Sequence, residues 1–514
     1  MAKICLCLTA KTINRDLEIL NKYRKFADVA ELRVDCLDPD ERLLIRRFPE
    51  MAGLPVILTI RRDIDGGYFT GGEGARVKLM ARGLAYASED SRLNFAYLDI
   101  EDDFDVPSLE EAARTFGTRI IRSYHDLDGA IDDIPAKMTS MQRAGDEIVK
   151  VAVAVKSTSD VLRIFNASKD FQVQDKIIIG IGHYGVYSRI LAEKFGSFLC
   201  YSSALSENEA PAAPGQVDVR ELSELYRFKN IGRKTKIYGV VGNPLKASIS
   251  PWFFNTVFGL ENDDAVYVPF PTDSITDFLK LAKQLEVKGL SITVPFKEEV
   301  LSKLANYSAA VRSIGACNTM SYFPDGWYGE NTDCAGFSNS LLNFLGLTNL
   351  KKQKATIVGA GGAARAVAAE IFRLGGKALI LNRTLHKAKS LASNYNFHWG
   401  TLDENGIEQM SKFSNIIIQT TSAGMEGYED ANILESYSFT GKEAVMDLIY
   451  TPSVTPFLKR AAAAGCRTIN GFDMVIRQAC LQYASFTGRE IPQQLLARIN
   501  ETGESTWNKT RTKR

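Results

Sequence analysis

"KATIVGAGGAARAVAAEIF" (354–372) sets a short apolar run against a glycine-rich turn and an alanine-rich segment. The run is strand-like, the turn over 359–364 reads G-x-G-x-x-A, and alanine favours helix. Further apolar runs follow in "KALILNRT" (377–384), "NIIIQTTSAG" (415–424) and "EAVMDLIY" (443–450). Strand, glycine turn, helix and strand is the layout of a Rossmann unit, expected over 335–470. Gly359 permits the tight turn and Gly361 lets a pyrophosphate approach the backbone. Ala360, Gly362 and Ala363 complete a helix start whose N–H groups face the phosphates.

The second strand carries the choice of nucleotide. An NAD site places Asp or Glu about 20 residues on, where a carboxylate holds the ribose 2′-hydroxyl. Here Asn382, Arg383 and Thr384 occupy that place, with Lys387 on the following turn. A carboxylate would repel a 2′-phosphate and a guanidinium pairs with it, so the expected cofactor is NADP(H).

Outward from this unit, the chain of 514 residues is too long for one ordinary core. The first 205 residues hold eight short apolar runs, from "AKICLCLTA" to "SFLCYSS", separated by helix-like stretches. Eight strands alternating with helices fit a (β/α)8 barrel over 1–226 better than a doubly wound sheet. A charged segment, "VDVRELSELYRFKN" (217–230), reads as a connecting helix. A second α/β region runs over 235–334, with C-terminal helices of 471–500 expected to return to it. The remainder, 501–514, is a basic polar tail, expected to be solvated.

Composition narrows the class. Net charge is +1, which gives no whole-chain electrostatic footprint for nucleic acid or an acidic membrane. No apolar run reaches the roughly 18 residues that span a bilayer, and the first residues are too brief and strand-like for a secretion signal. Eight scattered cysteines and four histidines, none at metal-ligand spacing, read as buried thiols rather than disulfides or a metal site. A cytosolic protein is expected.

Two lysines suggest chemistry. Lys297 ends "SITVPFK" (291–297) and Asp333 ends "NTD" (331–333). A ketone reduced by hydride develops negative charge on oxygen, and an ammonium held by a carboxylate could supply the proton. Sequence alone leaves open a surface lysine and an unrelated loop acid. In the barrel, Lys150 lies on the apolar sixth run and His125 closes the fifth in "SYHD" (123–126). An apolar wall and nearby arginines favour a neutral amine, which attacks ketones to form a Schiff base. His125 could then move protons, or be a satisfied core histidine.

From about 235 to 490 the chain resembles shikimate dehydrogenase. The matching stretches are "GNPLKASISP", "ITVPFKE", "GACNTM", "GENTD", "GAGGAARA", "NRT", "TTSAGM", "DLIYTPSVTPFL" and "GFDMVIRQA". The resemblance implies Lys297 and Asp333 as the catalytic pair. It implies Ser248, Ser250, Thr293, Asn318, Tyr450 and Gln478 as substrate contacts, groups suited to a polyhydroxylated ring carboxylate. Two positions depart from the family pattern: Ala247 stands where many relatives carry His, and Ser291 where Asn is common.

Residues 1 to about 225 resemble type I 3-dehydroquinate dehydratase, through "ELRVD", "LTIRRDIDGG", "SYHD", "KVAV", "GHYGVYSR" and "APGQ" in order. The resemblance implies Lys150 as imine-forming nucleophile and His125 as general acid and base. Glu31, Arg33, Arg61, Arg189 and Gln216 would contact substrate hydroxyls and carboxylate. Here too two positions depart: Asp65 replaces the Glu that usually partners the histidine, and Ala212 replaces a loop serine. The glycine-rich "DGGYFTGGEG" (65–74) lacks a following GK[ST], so a loop near the barrel mouth is expected rather than a phosphate cradle.

The two resemblances imply successive reactions, dehydration of 3-dehydroquinate and NADPH-dependent reduction of 3-dehydroshikimate to shikimate. Three rivals stay open: a quinate- and NAD-specific reducing half, a non-enzymatic regulator of the same fold, and an aldolase-like barrel fused to an unrelated reductase.

Overall fold

The computed structural model describes residues 1–85, 90–129, 131–143, 145–171, 175–207, 211–245, 248–425, 427–428, 431 and 433–499. Ala247 and the tail 501–514 lie outside them. The chain divides into two compact units, Met1–Lys288 and Gly289–Thr506.

All eight apolar runs of the first unit form strands: β1 (Lys3–Leu8), β2 (Val29–Arg33), β3 (Val56–Thr59), β4 (Tyr97–Glu101), β5 (Arg119–Asp126), β6 (Ile148–Ala154), β7 (Lys176–Ile181) and β8 (Leu199–Ser202). They pair in parallel, in sequence order from β1 to β7, with β8 beside β1. Between β7 and β8 the barrel is joined by one bridge, Lys176 with Ser197, and by Phe198 N–H donating to the Lys176 carbonyl at 2.6 Å. The shared register puts alternate residues inside. Cys5, Ile57, Tyr97, Ile121, Ile148, Ile177 and Leu199 form part of that interior core. Polar residues on the same inward alternation are therefore expensive to bury and mark a site: Glu31, Asp99, Ser123 and Lys150.

The connecting segment is the expected helix only in part. It forms a five-residue π-helix, Glu221–Leu225, and a short 3-10 helix, Phe228–Asn230. Arg227 between them takes a left-handed backbone, φ 48°, which no continuing right-handed helix accommodates. The segment is held by side chains instead: Leu222, Tyr226, Phe228 and Ile231 are buried.

The first unit then adds β9 (Lys236–Gly242) and β10 (Ala265–Pro271), paired in parallel. These sit against the barrel. Thr158 N–H donates to Asp273 Oδ1 at 2.9 Å, Tyr187 meets Phe270 edge-on at 5.2 Å, and Asn243 Nδ2 donates to Tyr184 Oη at 3.1 Å.

In the second unit, β11 (Val287–Ile292), at the boundary, pairs antiparallel with β13 (Thr319–Phe323). Strand β13 pairs antiparallel with β14 (Gly326–Glu330), which takes the short β12 (Asn306–Tyr307) on its other edge. Six parallel strands follow: β15 (Lys354–Val358), β16 (Lys377–Leu381), β17 (His398–Gly400), β18 (Ile416–Gln419), β19 (Ala444–Asp447) and β20 (Arg467–Ile469). Their order, β17-β16-β15-β18-β19-β20, reverses at β15, the switch point where such sheets bind nucleotides. The helix Phe472–Thr487 lies along Thr332–Leu345; a Cβ on Gly336 would come within 3.1 Å of the Gln478 Cβ. Among the described residues no helix is long and apolar enough to cross a membrane.

Candidate active sites

The barrel encloses a cavity of about 480 Å³. Glu31, Arg33, Arg61, Asp65, His125, Lys150, Arg189 and Gln216 all line it, so every expected residue of this half reaches one space. Strand alternation explains the convergence, since Lys150 lies between the inward Ile148 and Ala152 on β6. Its ammonium is buried, 2.7 Å from Asp99 Oδ2, and stands over the Tyr201 ring at 4.3 Å from the centroid.

Asp99 is a residue the sequence reading missed. Its carboxylate also takes Arg61 Nη2 at 2.7 Å and Ser123 Oγ at 2.6 Å. Burial alone would raise this carboxyl, but the Arg61 and Lys150 cations outweigh it and hold it well below the usual range. To the apolar wall and arginines expected around this amine the structure adds a carboxylate at 2.7 Å. The signal was present in "FAYLDIE" (95–101), where two acids occupy inward positions of an apolar strand. The second of these, Glu101, pairs with Arg61 at 2.7 Å.

His125 is neutral. Burial, then the Arg61 and Lys150 cations, push its imidazole well below the usual range. Its Nδ1 is buried without a hydrogen-bond partner among the described residues. Asp65 lines the cavity but bonds elsewhere, at 2.6 Å from Arg62 Nε. A side chain one methylene shorter than Glu, on the same short turn as Arg62, reaches that guanidinium rather than the imidazole. Arg62 is further engaged by both oxygens of Asp103, each at 3.0 Å.

The three arginines differ in charge balance. Arg33 is matched by Asp35 through two bonds, 2.9 and 2.7 Å, and Arg61 by Asp99 and Glu101. Arg189 has no carboxylate partner among the described residues. It donates to the Pro214 carbonyl at 3.5 Å, its Nε is unpartnered, and burial lowers it from the usual range. A buried cation left open in this way fits an incoming anion. Glu31 accepts from Thr59 Oγ1 at 2.9 Å, and Gln216 accepts from the Ala212 N–H at 2.9 Å.

In the second unit, Lys297 Nζ lies 2.6 Å from Asp333 Oδ2. The pair that spacing could not join is therefore joined. Asp333 sits in the first turn of the helix Thr332–Leu345, which Asn331 caps. Its other oxygen takes Asn318 Nδ2 at 2.8 Å, so Asn318 orients the acid as well as standing beside it. Gln482, missed in the sequence, braces this cluster: it donates to the Asn318 carbonyl at 3.2 Å and accepts from Ser291 Oγ at 2.8 Å. The Ser291 departure is thereby spent on packing. Thr293 follows β11, Tyr450 follows β19 and is half-buried, and Gln478 lies on the helix Phe472–Thr487. Ser248 and Ser250 belong to the first unit, where the Ser250 N–H donates to Ser248 Oγ at 3.3 Å.

The nucleotide turn fits its expected ligand. Gly359 has φ +117°, and a Cβ there would fall 2.4 Å from Thr420 Oγ1, so only glycine serves. Added Cβ atoms at Gly361 and Gly362 would meet nothing within 4 Å, and no side chain caps the helix Gly362–Arg373. An uncapped helix start with room beside its glycines is what a diphosphate requires. Asn382 Nδ2 closes the next turn on the Thr384 carbonyl at 3.0 Å, while Arg383 and Lys387 are exposed, with no ion pair among the described residues. Ala360 is half-buried and Ala363 exposed in the first turn.

Three family models match the chain: type I 3-dehydroquinase over 4–233, shikimate dehydrogenase substrate binding domain over 240–320, and shikimate/quinate 5-dehydrogenase over 343–456. The chain is 28% identical over 530 residues to the chloroplastic bifunctional 3-dehydroquinate dehydratase/shikimate dehydrogenase of Arabidopsis thaliana, covering 96% of this chain and 84% of that one. It is 33% identical over 260 residues to the NADP(+) shikimate dehydrogenase of Syntrophobacter fumaroxidans, covering 51% of this chain and 90% of that one. It is 34% identical over 270 residues to the corresponding protein of Alkaliphilus oremlandii, covering 50% and 94%.

Proposed function

The chain belongs to the type I 3-dehydroquinase and shikimate dehydrogenase families, and from that premise we propose how its residues carry the two successive reactions of the shikimate pathway. The protein is a bifunctional enzyme, a 3-dehydroquinate dehydratase and an NADP-dependent shikimate dehydrogenase. The observation that carries the residue assignment is the pair of lysines, one buried in the barrel cavity beside a neutral imidazole, the other 2.6 Å from its own carboxylate.

In the barrel, Arg189 takes the substrate carboxylate, since it is the cation of the cavity with no acid of its own. Lys150 must shed a proton before its nitrogen can attack the C3 ketone, and neutral His125 is the acceptor. Attack forms a carbinolamine; His125 returns the proton to its hydroxyl, which leaves as water, so the iminium forms and His125 is again a neutral base. The iminium acidifies the adjacent C2–H. His125 removes that proton and returns it to the departing C1 hydroxyl, which leaves as water. Hydrolysis of the iminium then frees 3-dehydroshikimate and Lys150. Glu31, Arg33, Arg61 and Gln216 hold the ring hydroxyls, and Asp65 lines the cavity mouth.

In the second half, NADP(H) would be held by the turn 359–363, with Asn382, Arg383, Thr384 and Lys387 around its 2′-phosphate. Bound NADPH would supply the hydride. Lys297 gives the proton to the developing alkoxide, and Asp333 keeps that side chain aimed, itself fixed by Asn318. Thr293, Tyr450 and Gln478 contact the ring hydroxyls and carboxylate, a role that the resemblance also implies for Ser248 and Ser250. The exposed, acid-free Arg383 favours this over the quinate and NAD reading.

The domain reading follows: 1–226 dehydratase, 235–334 substrate domain, 335–470 nucleotide domain. The substrates are small molecules, and a net charge of +1 supports neither nucleic acid nor membrane as a partner. A reducing, cytosolic compartment is supported by eight cysteines, all free.

The test supplies 3-dehydroquinate and NADPH together and follows NADPH consumption and shikimate. Lys150→Ala should abolish shikimate from 3-dehydroquinate but not from 3-dehydroshikimate. Lys297→Ala should stop both, with 3-dehydroshikimate accumulating. A Lys150→Ala enzyme that still dehydrates would overturn the assignment.

A further inference from the structure

Among the described residues, three buried polar atoms on the barrel cavity have no hydrogen-bond partner: His125 Nδ1, Arg189 Nε and Tyr201 Oη. A protein seldom buries a donor or acceptor unsatisfied, because each such group costs about 1–3 kcal/mol. Where several converge on one cavity, the economical reason is a ligand that satisfies them on binding. The first two already have roles in the dehydration. The third has none.

We propose that Tyr201 is a substrate-contacting residue of the dehydratase site, its hydroxyl reserved for an oxygen of the bound hydroxylated ring. Three observations support the assignment. Tyr201 is 4% exposed and on β8, whose residue 201 points inward with Leu199. Its ring carries the Lys150 ammonium at 4.3 Å, so the hydroxyl belongs to the neighbourhood of the reacting carbon rather than a remote wall. Ala212 lines the same cavity where the family pattern has a serine, so one expected hydroxyl is missing and Tyr201 provides another from the strand side. Burial, with Asp99 and Glu31 next, pushes the phenol well above its usual range, so it stays protonated and can donate. The ring and the hydroxyl are separable: the ring face seats Lys150 by cation–π attraction, and the hydroxyl reads the substrate.

The inference rests on the dehydratase reading, and Tyr201→Phe isolates its new part. Phenylalanine keeps the ring under Lys150 and removes the hydroxyl alone. Steady-state dehydration of 3-dehydroquinate should show KM raised about 10-fold with kcat within about 3-fold, the pattern of a contact made equally in ground and transition states. Reduction of 3-dehydroshikimate and the thermal unfolding midpoint should be unchanged. An unaltered KM, or a fall in both activities together with the midpoint, would overturn the proposal. Absence of dehydration by the unsubstituted enzyme is a different result, and would remove the reading beneath it.

Discussion

Asp99→Asn is the substitution on which the barrel arrangement bears hardest. One buried carboxylate accepts from Lys150, Arg61 and Ser123 at 2.6–2.7 Å. Asparagine keeps the shape, removes the charge, and turns one acceptor into a donor that must face another donor. Arg61 keeps Glu101 at 2.7 Å, so the loss concentrates on Lys150. Removing one partner of a buried ion pair costs about 3–5 kcal/mol, which for a domain of this size lowers the unfolding midpoint by roughly 6–20 °C. The lost charge-assisted bond, about 1.5–3 kcal/mol, lowers dehydratase kcat/KM by roughly 10- to 150-fold if Asp99 aims the nucleophile. The sign with pH is fixed by the depressed carboxyl of Asp99: its stabilisation is present above the ordinary value of 3.8 and is lost as pH falls below it. The assay is a thermal melt at neutral pH, paired with ultraviolet detection of the conjugated enone product. Reduction of 3-dehydroshikimate, below the variant's midpoint, is the internal control and should be retained. A variant that melts with the parent and dehydrates at its rate would refute the reasoning, because Lys150 would then need no counter-ion.

Other outcomes follow from the second unit. Arg383→Ala should weaken NADPH by roughly 10- to 150-fold and leave NADH nearly unchanged, as loss of one charge-assisted phosphate contact requires; equal loss for both nucleotides would remove the 2′-phosphate role. Asp447 is fully buried at the end of β19, and burial pushes its carboxyl up to about 6 against bonds from Thr455 Oγ1 at 2.7 Å and the Ile449 N–H at 2.9 Å. A raised carboxyl stabilises the fold below its ordinary 3.8 and loses that contribution, about 3 kcal/mol, as pH rises through 6. Unfolding curves of Asp447→Asn should therefore gain on the parent between pH 4 and pH 7, and parallel curves would contradict the shift.

How far the sequence carried depended on whether a residue's partner was local. The Rossmann turn was legible because glycine at 359 and open backbone at 361 and 362 are demands of one short loop. The barrel strands were legible because parallel strands buried on both faces are near-continuous apolar runs. The segment 217–230 is helical as its charge pattern implies only as far as Leu225, because Arg227 is held left-handed by contacts far along the chain, to the carbonyls of Phe258, Asp263 and Ala265. The ion pair of Asp99 with Lys150 spans three strands' worth of sequence, and nothing local in either segment names the other. Asp65 shows a local partner that the family pattern does not name: that pattern pairs it with His125, and the structure bonds it to Arg62, three residues away.

Covalent capture on β6 is the most direct measurement. Borohydride added during turnover with 3-dehydroquinate should reduce the iminium to a stable amine, inactivate dehydration, and leave the adduct mass on the peptide containing Lys150. Full activity after borohydride, or an adduct on any other lysine, would contradict a nucleophile inside the barrel.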